Sequence, residues 1–169
     1  MLDVVPEGRS LDLGSGGGVP GLVLAKARPH AEWVLLDASA RRTAFLVRAV
    51  AALGLAPRVQ VVTGRAEELA RREDHRASYQ LVVARSFAGP AVVAECAAPL
   101  LTVGGTLVVS EPPDRQGGAR WPEDGLHPLG LQLAVTTSTP PQFVRLRQVQ
   151  RCPERFPRRV GIPTKRPLW

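Results

Sequence analysis

The chain has 169 residues, of which 44% are apolar, so it can bury one substantial core. The sequence has no apolar run of about 18 residues, the length of a membrane span, and its first residues lack the pattern of a signal peptide. We therefore expect a cytoplasmic protein without a membrane partner. Its two cysteines, Cys96 and Cys152, have no CxxC spacing and no nearby histidine, which indicates neither a disulfide framework nor a metal site.

The net charge of +7 comes entirely from the C-terminal part of the chain. Residues 1–140 hold 14 basic and 14 acidic residues, whereas residues 141–169 hold eight basic residues against Glu154 alone. A neutral body with a basic end is typical of an anion-seeking arm, most often one directed at nucleic acid. The alternative is a solvated terminus that only aids solubility.

Short β-rich runs alternate with helix-length segments through the first two thirds of the chain. This order predicts a mostly parallel sheet covered by helices on both faces. We predict strands over 10–13, 32–37, 58–62, 79–85 and 105–110, and helices over 19–29, 39–53, 65–74 and 89–101.

Two further β-rich runs, residues 131–137 and 143–150, are separated only by the turn-rich "STPP". They predict an antiparallel C-terminal hairpin, which brings the sheet to seven strands. Residues 111–128 contain so many prolines, glycines and charged residues that we predict a loop there.

The stretch "SLDLGSGGGVPGL", residues 10–22, places five glycines between the first predicted strand and the first helix. Such a turn brings backbone N–H groups close to a ligand at the carboxyl edge of the sheet, where α/β folds bind nucleotides. Two registers fit. Gly16, Gly18 and Gly21 match the GxGxxG of dinucleotide-binding proteins, whereas Gly14, Gly16 and Gly18 stand behind an acid, as in the DxGxGxG of S-adenosylmethionine methyltransferases.

The acid before these glycines, Asp12, favours the DxGxGxG motif of S-adenosylmethionine methyltransferases. A carboxylate at this point would repel the pyrophosphate of NAD, whereas S-adenosylmethionine carries a sulfonium, an ammonium and no phosphate. Asp37 ends the second strand, 23 residues after Gly14, where it can accept hydrogen bonds from the ribose hydroxyls of either cofactor. The segment "GRAEEL", residues 64–69, predicts contacts with an adenine edge near Ala66 and Glu67, although an acidic pair also suits the first turn of a helix.

Five motifs in this order resemble the RsmG (GidB) family: "LDLGSGGGVPGL", "LLDASARRTAFL", "GRAEEL", "VVARSFA" and "FPRRVGIPTKRPL". The resemblance extends from about residue 9 to residue 168. It implies a Rossmann-like class I S-adenosylmethionine-dependent methyltransferase that modifies N7 of a guanine in 16S ribosomal RNA. The partner would be that RNA or the small ribosomal subunit, with no metal, and we expect a monomer.

The resemblance also implies the site residues. Arg85 would lie beside donor and target as the catalytic, orienting residue, the acid and glycines after the first strand would bound the methionine pocket, and Asp37 would hold the ribose. The full cofactor-binding set implied is Asp12, Gly14, Ser15, Gly16, Gly18, Asp37, Ala38, Ala66, Glu67 and Arg85.

The basic C-terminal segment (residues 153–169) is predicted to be an arm appended to a methyltransferase domain over residues 1–152. Its RNA-binding cations would be Arg158, Arg159, Lys165 and Arg166. A competing path remains open, because four prolines give a stiff chain that can fold back over the donor pocket.

The chemistry explains which motifs are missing. Guanine N7 presents a lone pair, so methyl transfer needs in-line positioning and no proton removal. The chain correspondingly lacks the (N/D)PP(Y/F) motif of amino-group methylation, and it lacks a nucleophilic cysteine after the fourth strand.

Two features differ from the usual family pattern. About nine residues precede the Gly-rich strand, where the family usually has several helices, and Ser110-Glu111 stands where the family tends to have Lys-Gly. These differences favour one alternative, a methyltransferase for another RNA or a small molecule. Two others stay open beside it: a module that binds S-adenosylmethionine or RNA without turnover, and a dehydrogenase.

Overall fold

The computed structural model describes residues 7–112, 120–137 and 142–169 of the chain. Its strands are β1 (Arg9–Leu13), β2 (Glu32–Asp37), β3 (Val59–Thr63), β4 (Tyr79–Ala84), β5 (Leu101–Ser110), β6 (Leu131–Thr136) and β7 (Phe143–Gln148). Its α-helices are α1 (Gly21–Ala27), α2 (Ala40–Ala52), α3 (Ala66–Leu69), α4 (Pro90–Ala97), α5 (Glu123–Leu126) and α6 (Ile162–Lys165). Short 3₁₀ turns follow α4 at Ala98–Leu100 and α5 at His127–Leu129.

All seven strands lie in one sheet in the order β3-β2-β1-β4-β5-β7-β6. The first five strands are parallel to one another, and β7 runs antiparallel to both β5 and β6. This arrangement confirms the predicted mostly parallel sheet with an antiparallel C-terminal pair. The "STPP" turn of that pair lies outside the described residues.

Apolar side chains alternate between the two faces of the sheet, and each face carries its own core. On one face, Leu35 and Val83 pack with Leu46 and other apolar residues of α1 and α2. On the other face, Leu11 and Val82 pack with residues of α3, α4 and α5. Within the described ranges, no helix is long and apolar enough to cross a membrane.

β5 begins at Leu101, four residues before the predicted strand, and two predicted segments differ more strongly from the structure. The predicted helix over 65–74 ends at Leu69, because the chain must turn back to begin β4. Ala77 completes that turn with a left-handed backbone (φ 50°) and donates its N–H to Pro99 O. The predicted loop over 111–128 contains α5 in its described part, because Trp121 and Leu126 are buried in the core and fix this turn of helix despite the surrounding prolines and glycines.

Candidate functional site

The Gly-rich turn between β1 and α1 lies at the carboxyl edge of the sheet and approaches its neighbours closely. Gly14 has a left-handed backbone (φ 74°), and a Cβ there would lie 2.5 Å from Cδ2 of Phe87. The N–H of Gly21, the first residue of α1, donates a 3.0 Å hydrogen bond to Asp12 Oδ2, and a Cβ on Gly21 would lie 2.5 Å from that same oxygen. Larger residues would therefore displace the turn from the strand ends.

Asp12 lies beneath this turn, with 1% of its surface exposed. Burial raises the pKa of Asp12 to about 6, even though the Gly21 hydrogen bond acts in the opposite direction. Ser15, also buried, donates its hydroxyl to the backbone oxygen of Asp12 at 2.9 Å. Both side chains hold the turn in place from below, and neither lines the cavity above it.

Asp37 joins the end of β2 to the turn. Its Oδ2 accepts the N–H of Gly16 at 2.9 Å, and its Oδ1 accepts the N–H of Ser39 at 2.9 Å. Arg42 Nη1 lies 3.5 Å from the same Oδ2. Because each carboxylate oxygen has two lone pairs, both oxygens can still accept a further hydrogen bond from a ligand.

A cavity of about 200 Å³ opens between the Gly-rich turn, the end of β2, α3 and α4. The structure brings together five of the predicted site residues in its wall: Gly14, Asp37, Ala38, Ala66 and Glu67. The other lining residues are Leu36, Gly64, Arg65, Phe87, Ala88, Val92, Cys96 and Thr164. Gly16 and Gly18 shape the turn without lining this cavity.

Glu67 connects the cavity wall to the C-terminal segment. Its Oε1 accepts the N–H of Gly161 at 3.0 Å and lies 3.3 Å from Arg65 Nη2. Burial alone would raise the pKa of Glu67, but the Gly161 N–H and the Arg65 guanidinium bring the pKa below its usual value. Glu67 is therefore held as a carboxylate, and it ties α3 to a residue 94 positions later in the chain.

The sequence left two arrangements open for the C-terminal segment, an arm appended to the domain or a segment folded back over the donor pocket. The structure has the second, because this segment packs against the body. Arg158 donates to the fully buried carboxylate of Glu95 from its backbone N–H (2.8 Å), Nε (2.9 Å) and Nη2 (2.7 Å). Thr164 of α6 lines the cavity. Arg158, predicted as an RNA contact, is thus committed to an internal ion pair because Glu95 would otherwise be an unpaired buried charge.

The remaining predicted cations of this segment, Arg159, Lys165 and Arg166, are exposed. Arg85, the predicted catalytic residue, is also exposed, at the end of β4. It lies outside the cavity wall, yet close enough to the loop that its charge lowers the pKa of Asp12 against the dominant effect of burial.

A second cleft of about 300 Å³ adjoins the cavity and shares Phe87 and Ala88 with it. Glu111 lies in its wall, where Oε1 accepts a 3.1 Å hydrogen bond from Trp121 Nε1 and Oε2 pairs with Arg120. Glu111 is therefore buried and fastens residues 120 and 121 to the end of β5.

The described part of the chain contains no group of three or more side chains suited to hold a metal ion. Both cysteines are buried and free. Burial raises the pKa of Cys152 to about 12 and that of Cys96 still further, so neither thiol is a nucleophile at neutral pH.

Sequence reasoning missed several parts of the site. Phe87 lies in the motif "VVARSFA", from which only Arg85 was predicted as a site residue, and Cys96 lies in a predicted helix. Thr164 and the Glu67–Gly161 bond join distant parts of the chain, for which no local sequence signal exists.

Comparison with known proteins identifies the family. The sequence matches the profile of GidB, described as "rRNA small subunit methyltransferase G", over residues 1–111. The chain belongs to the GidB family.

Relatives of this GidB chain extend the similarity beyond that match. Proteins named "Ribosomal RNA small subunit methyltransferase G" from Moorella thermoacetica, Rubrobacter xylanophilus and Thermotoga neapolitana are 34%, 36% and 38% identical to it. The aligned regions cover 99%, 95% and 96% of the chain, and 72%, 65% and 72% of the respective relatives. The chain thus spans about two thirds to three quarters of their length.

Solved structures confirm the class I methyltransferase fold. The antibiotic-resistance methyltransferase Kmr matches with a TM-score of 0.65 and 17% identity, over 84% of this chain and 86% of that protein. A geranyl diphosphate methyltransferase in complex with GPP and sinefungin matches with a TM-score of 0.67 and 13% identity, over 88% of this chain and 76% of that protein.

Proposed function

We propose that this GidB-family chain transfers the methyl group of S-adenosylmethionine to N7 of a guanine in 16S ribosomal RNA. The observation that carries the proposal is Asp37, a buried acid that ends β2, bonds to the Gly-rich turn and lines the cavity. The names of the relatives supply the substrate class, small-subunit ribosomal RNA. We expect the enzyme to act as a monomer in the cytoplasm, on free RNA or on the small subunit.

The cavity wall suits S-adenosylmethionine better than a dinucleotide. Asp37 offers lone pairs to two ribose hydroxyls, and Ala66 and Glu67 line the same space, where we place the adenine edge. Leu36, Phe87 and Val92 offer apolar surface for the adenine ring. Asp37 can hold the ribose of either cofactor, whereas the carboxylate of Glu67 disfavours a pyrophosphate and suits a cationic donor.

The adjoining cleft is our proposed site for the target base, because it shares Phe87 and Ala88 with the donor cavity. S-adenosylmethionine supplies an electrophilic methyl group when bound. The chain needs no general base, since N7 attacks with its own lone pair, and its task is positioning and exclusion of water. Trp121, held by Glu111, offers an aromatic wall for this purpose, and we assign Arg85 the role of orienting the target at the end of β4.

We further propose that residues 1–152 form the catalytic domain and that the basic C-terminal segment, residues 153–169, is packed against it. Arg159, Lys165 and Arg166 retain their proposed role as phosphate contacts, because all three are exposed. They lie on the basic C-terminal segment, whose Thr164 lines the donor cavity. Arg158 is removed from that set by its bond to Glu95.

The decisive experiment uses small subunits and naked 16S RNA from a strain that lacks the modification. Each is incubated with methyl-labelled S-adenosylmethionine and the purified chain, and the label is mapped on the RNA. We expect label on a guanine N7. Donor binding without transfer would instead indicate a binding module, label on another acceptor would indicate a different substrate, and NAD(P) binding by calorimetry would favour a dehydrogenase.

A further inference from the structure

The solvent-facing side of α2 carries an unusual combination of side chains. Arg41, Phe45 and Arg48 occupy positions i, i+4 and i+7, which lie on one face of a helix. All three are exposed, and Phe45 has 46% of its surface in contact with solvent. We call these three residues the α2 face.

The charge of this face is not neutralised nearby. Residues 38–53 contain three arginines and no acid. Arg42 pairs with Asp37 in the donor site, whereas the side chains of Arg41 and Arg48 form no hydrogen bond or ion pair with any residue that the structure describes. Both guanidinium groups are therefore available to an external anion.

The α2 face also lies beside the donor cavity. Together with Gly16, Gly17 and Ser39 it borders a shallow groove. Gly16 bonds to Asp37, and Ser39 follows Ala38 of the cavity wall, so the groove leads to the mouth of the cavity. Among the residues that the structure describes, the groove shares none with the cleft proposed for the target base, so an RNA strand bound in the groove must continue past the donor cavity to place its base in that cleft.

We infer that the α2 face docks the RNA substrate, with Arg41 and Arg48 meeting phosphates and Phe45 stacking on an unpaired base. Exposed cations interleaved with an aromatic ring fit single-stranded RNA, because phosphates attract the guanidinium groups and every base presents a π-face. A protein partner is less well matched, since the apolar part of this face is a single ring between two charges. This inference rests on the proposed function.

The test measures binding of a labelled 16S RNA fragment by fluorescence anisotropy over a series of salt concentrations. For Arg41→Gln/Arg48→Gln, we expect roughly 10- to 30-fold weaker binding at 0.15 M salt and a log–log salt slope reduced by roughly 1.4 to 1.8. For Phe45→Ala, we expect at least about 5-fold weaker binding at an unchanged slope, because stacking releases no counterions. Arg48→Gln alone should give about half the slope change of the double variant.

The matched control is Arg147→Gln/Arg151→Gln, which removes the same charge elsewhere. Arg147 lies on β7 opposite Thr106, in the middle of β5, and Arg151 follows β7 and lies 3.6 Å from Glu154. The control should keep the slope of the unmodified protein, since screening weakens charges beyond about 10 Å. Calorimetry with S-adenosylmethionine verifies that the α2 variants keep an intact donor site.

The outcomes separate this inference from the proposed function. The inference is overturned, and the proposed function stands, if the unmodified chain methylates the RNA but the α2 variants bind that RNA with full affinity. The same holds if the salt dependence of RNA binding changes no more in the α2 variants than in the control. An unmodified chain that binds no donor or transfers no methyl group overturns the proposed function itself.

Discussion

Replacing Arg158 by methionine is expected to destabilise the fold by about 3 kcal/mol. Glu95, fully buried, accepts three hydrogen bonds from Arg158, two of them from its guanidinium. Removing one partner of a buried ion pair typically costs about 3–5 kcal/mol, because the other charge stays buried without compensation. We take the low end, since the side chain of Arg158 is 28% exposed and its backbone N–H would still bond to Glu95.

The loss should be visible in thermal and urea unfolding. For a chain of this size, about 3 kcal/mol corresponds to a melting temperature lower by roughly 6–12 °C. S-adenosylmethionine binding should weaken as well, because Gly161, three residues later, holds the cavity residue Glu67. The salt slope of RNA binding should not change, since this guanidinium is occupied inside the protein.

Arg159→Met is the matched control, because Arg159 is the exposed neighbour in the chain and its loss should change stability by less than about 0.5 kcal/mol. The double variant Glu95→Leu/Arg158→Met should recover most of the lost stability, because no unpaired charge remains. Our reasoning would be refuted if Arg158→Met kept full stability and instead flattened the salt dependence of RNA binding.

Three further predictions concern the Gly-rich turn. Asp37→Ala should weaken S-adenosylmethionine binding by about 1–3 kcal/mol in calorimetry, because it removes charge-assisted contacts, and an unchanged affinity would exclude Asp37 from the site. Gly16→Val should abolish donor binding, because Gly16 has a φ of 54° that a β-branched residue resists, whereas Gly17→Val has free space and should bind normally. The pKa of Asp12, raised by burial from 3.8 to about 6, means that the protonated carboxyl contributes stability below about pH 4 that is lost as the pH rises through 6. Urea unfolding measures the free energy of unfolding of Asp12→Asn relative to that of the unmodified protein. We expect this difference to shift in favour of the variant by up to about 3 kcal/mol between pH 4 and pH 7, and a difference that does not depend on pH would contradict this account.

The sheet and one side of the site could be predicted because their signals are local. Two short β-rich runs carry an acid at their ends, Asp12 as the next-to-last residue of the first and Asp37 as the last of the second, and parallel strands bring such ends to one edge. The glycines between β1 and α1 marked the place where backbone must approach a ligand. Five of the ten predicted cofactor-binding residues line one cavity as a result.

The other side of the site depends on contacts between distant residues, which no local pattern specifies. Composition identified Arg158 as a surface cation, because a sequence does not reveal that a buried acid lies 63 positions earlier to receive it. The same reason hid the bond from Gly161 to Glu67. In the segment before β6, proline and glycine content predicted a loop, but the burial of Trp121 and Leu126 decided the local structure.

The bond between Glu67 and Gly161 sets the order in which the site can mature on the ribosome. Translation proceeds from the N-terminus, so the Gly-rich turn, α3 and α4 emerge well before residues 158–164. Until then, Glu95 lacks Arg158, Glu67 lacks the Gly161 N–H, and the cavity lacks Thr164 in its wall. The cavity wall is thereby coupled to synthesis of residues 158–164: a nascent chain that stalls before Arg158 leaves Glu67 and Glu95 without these partners.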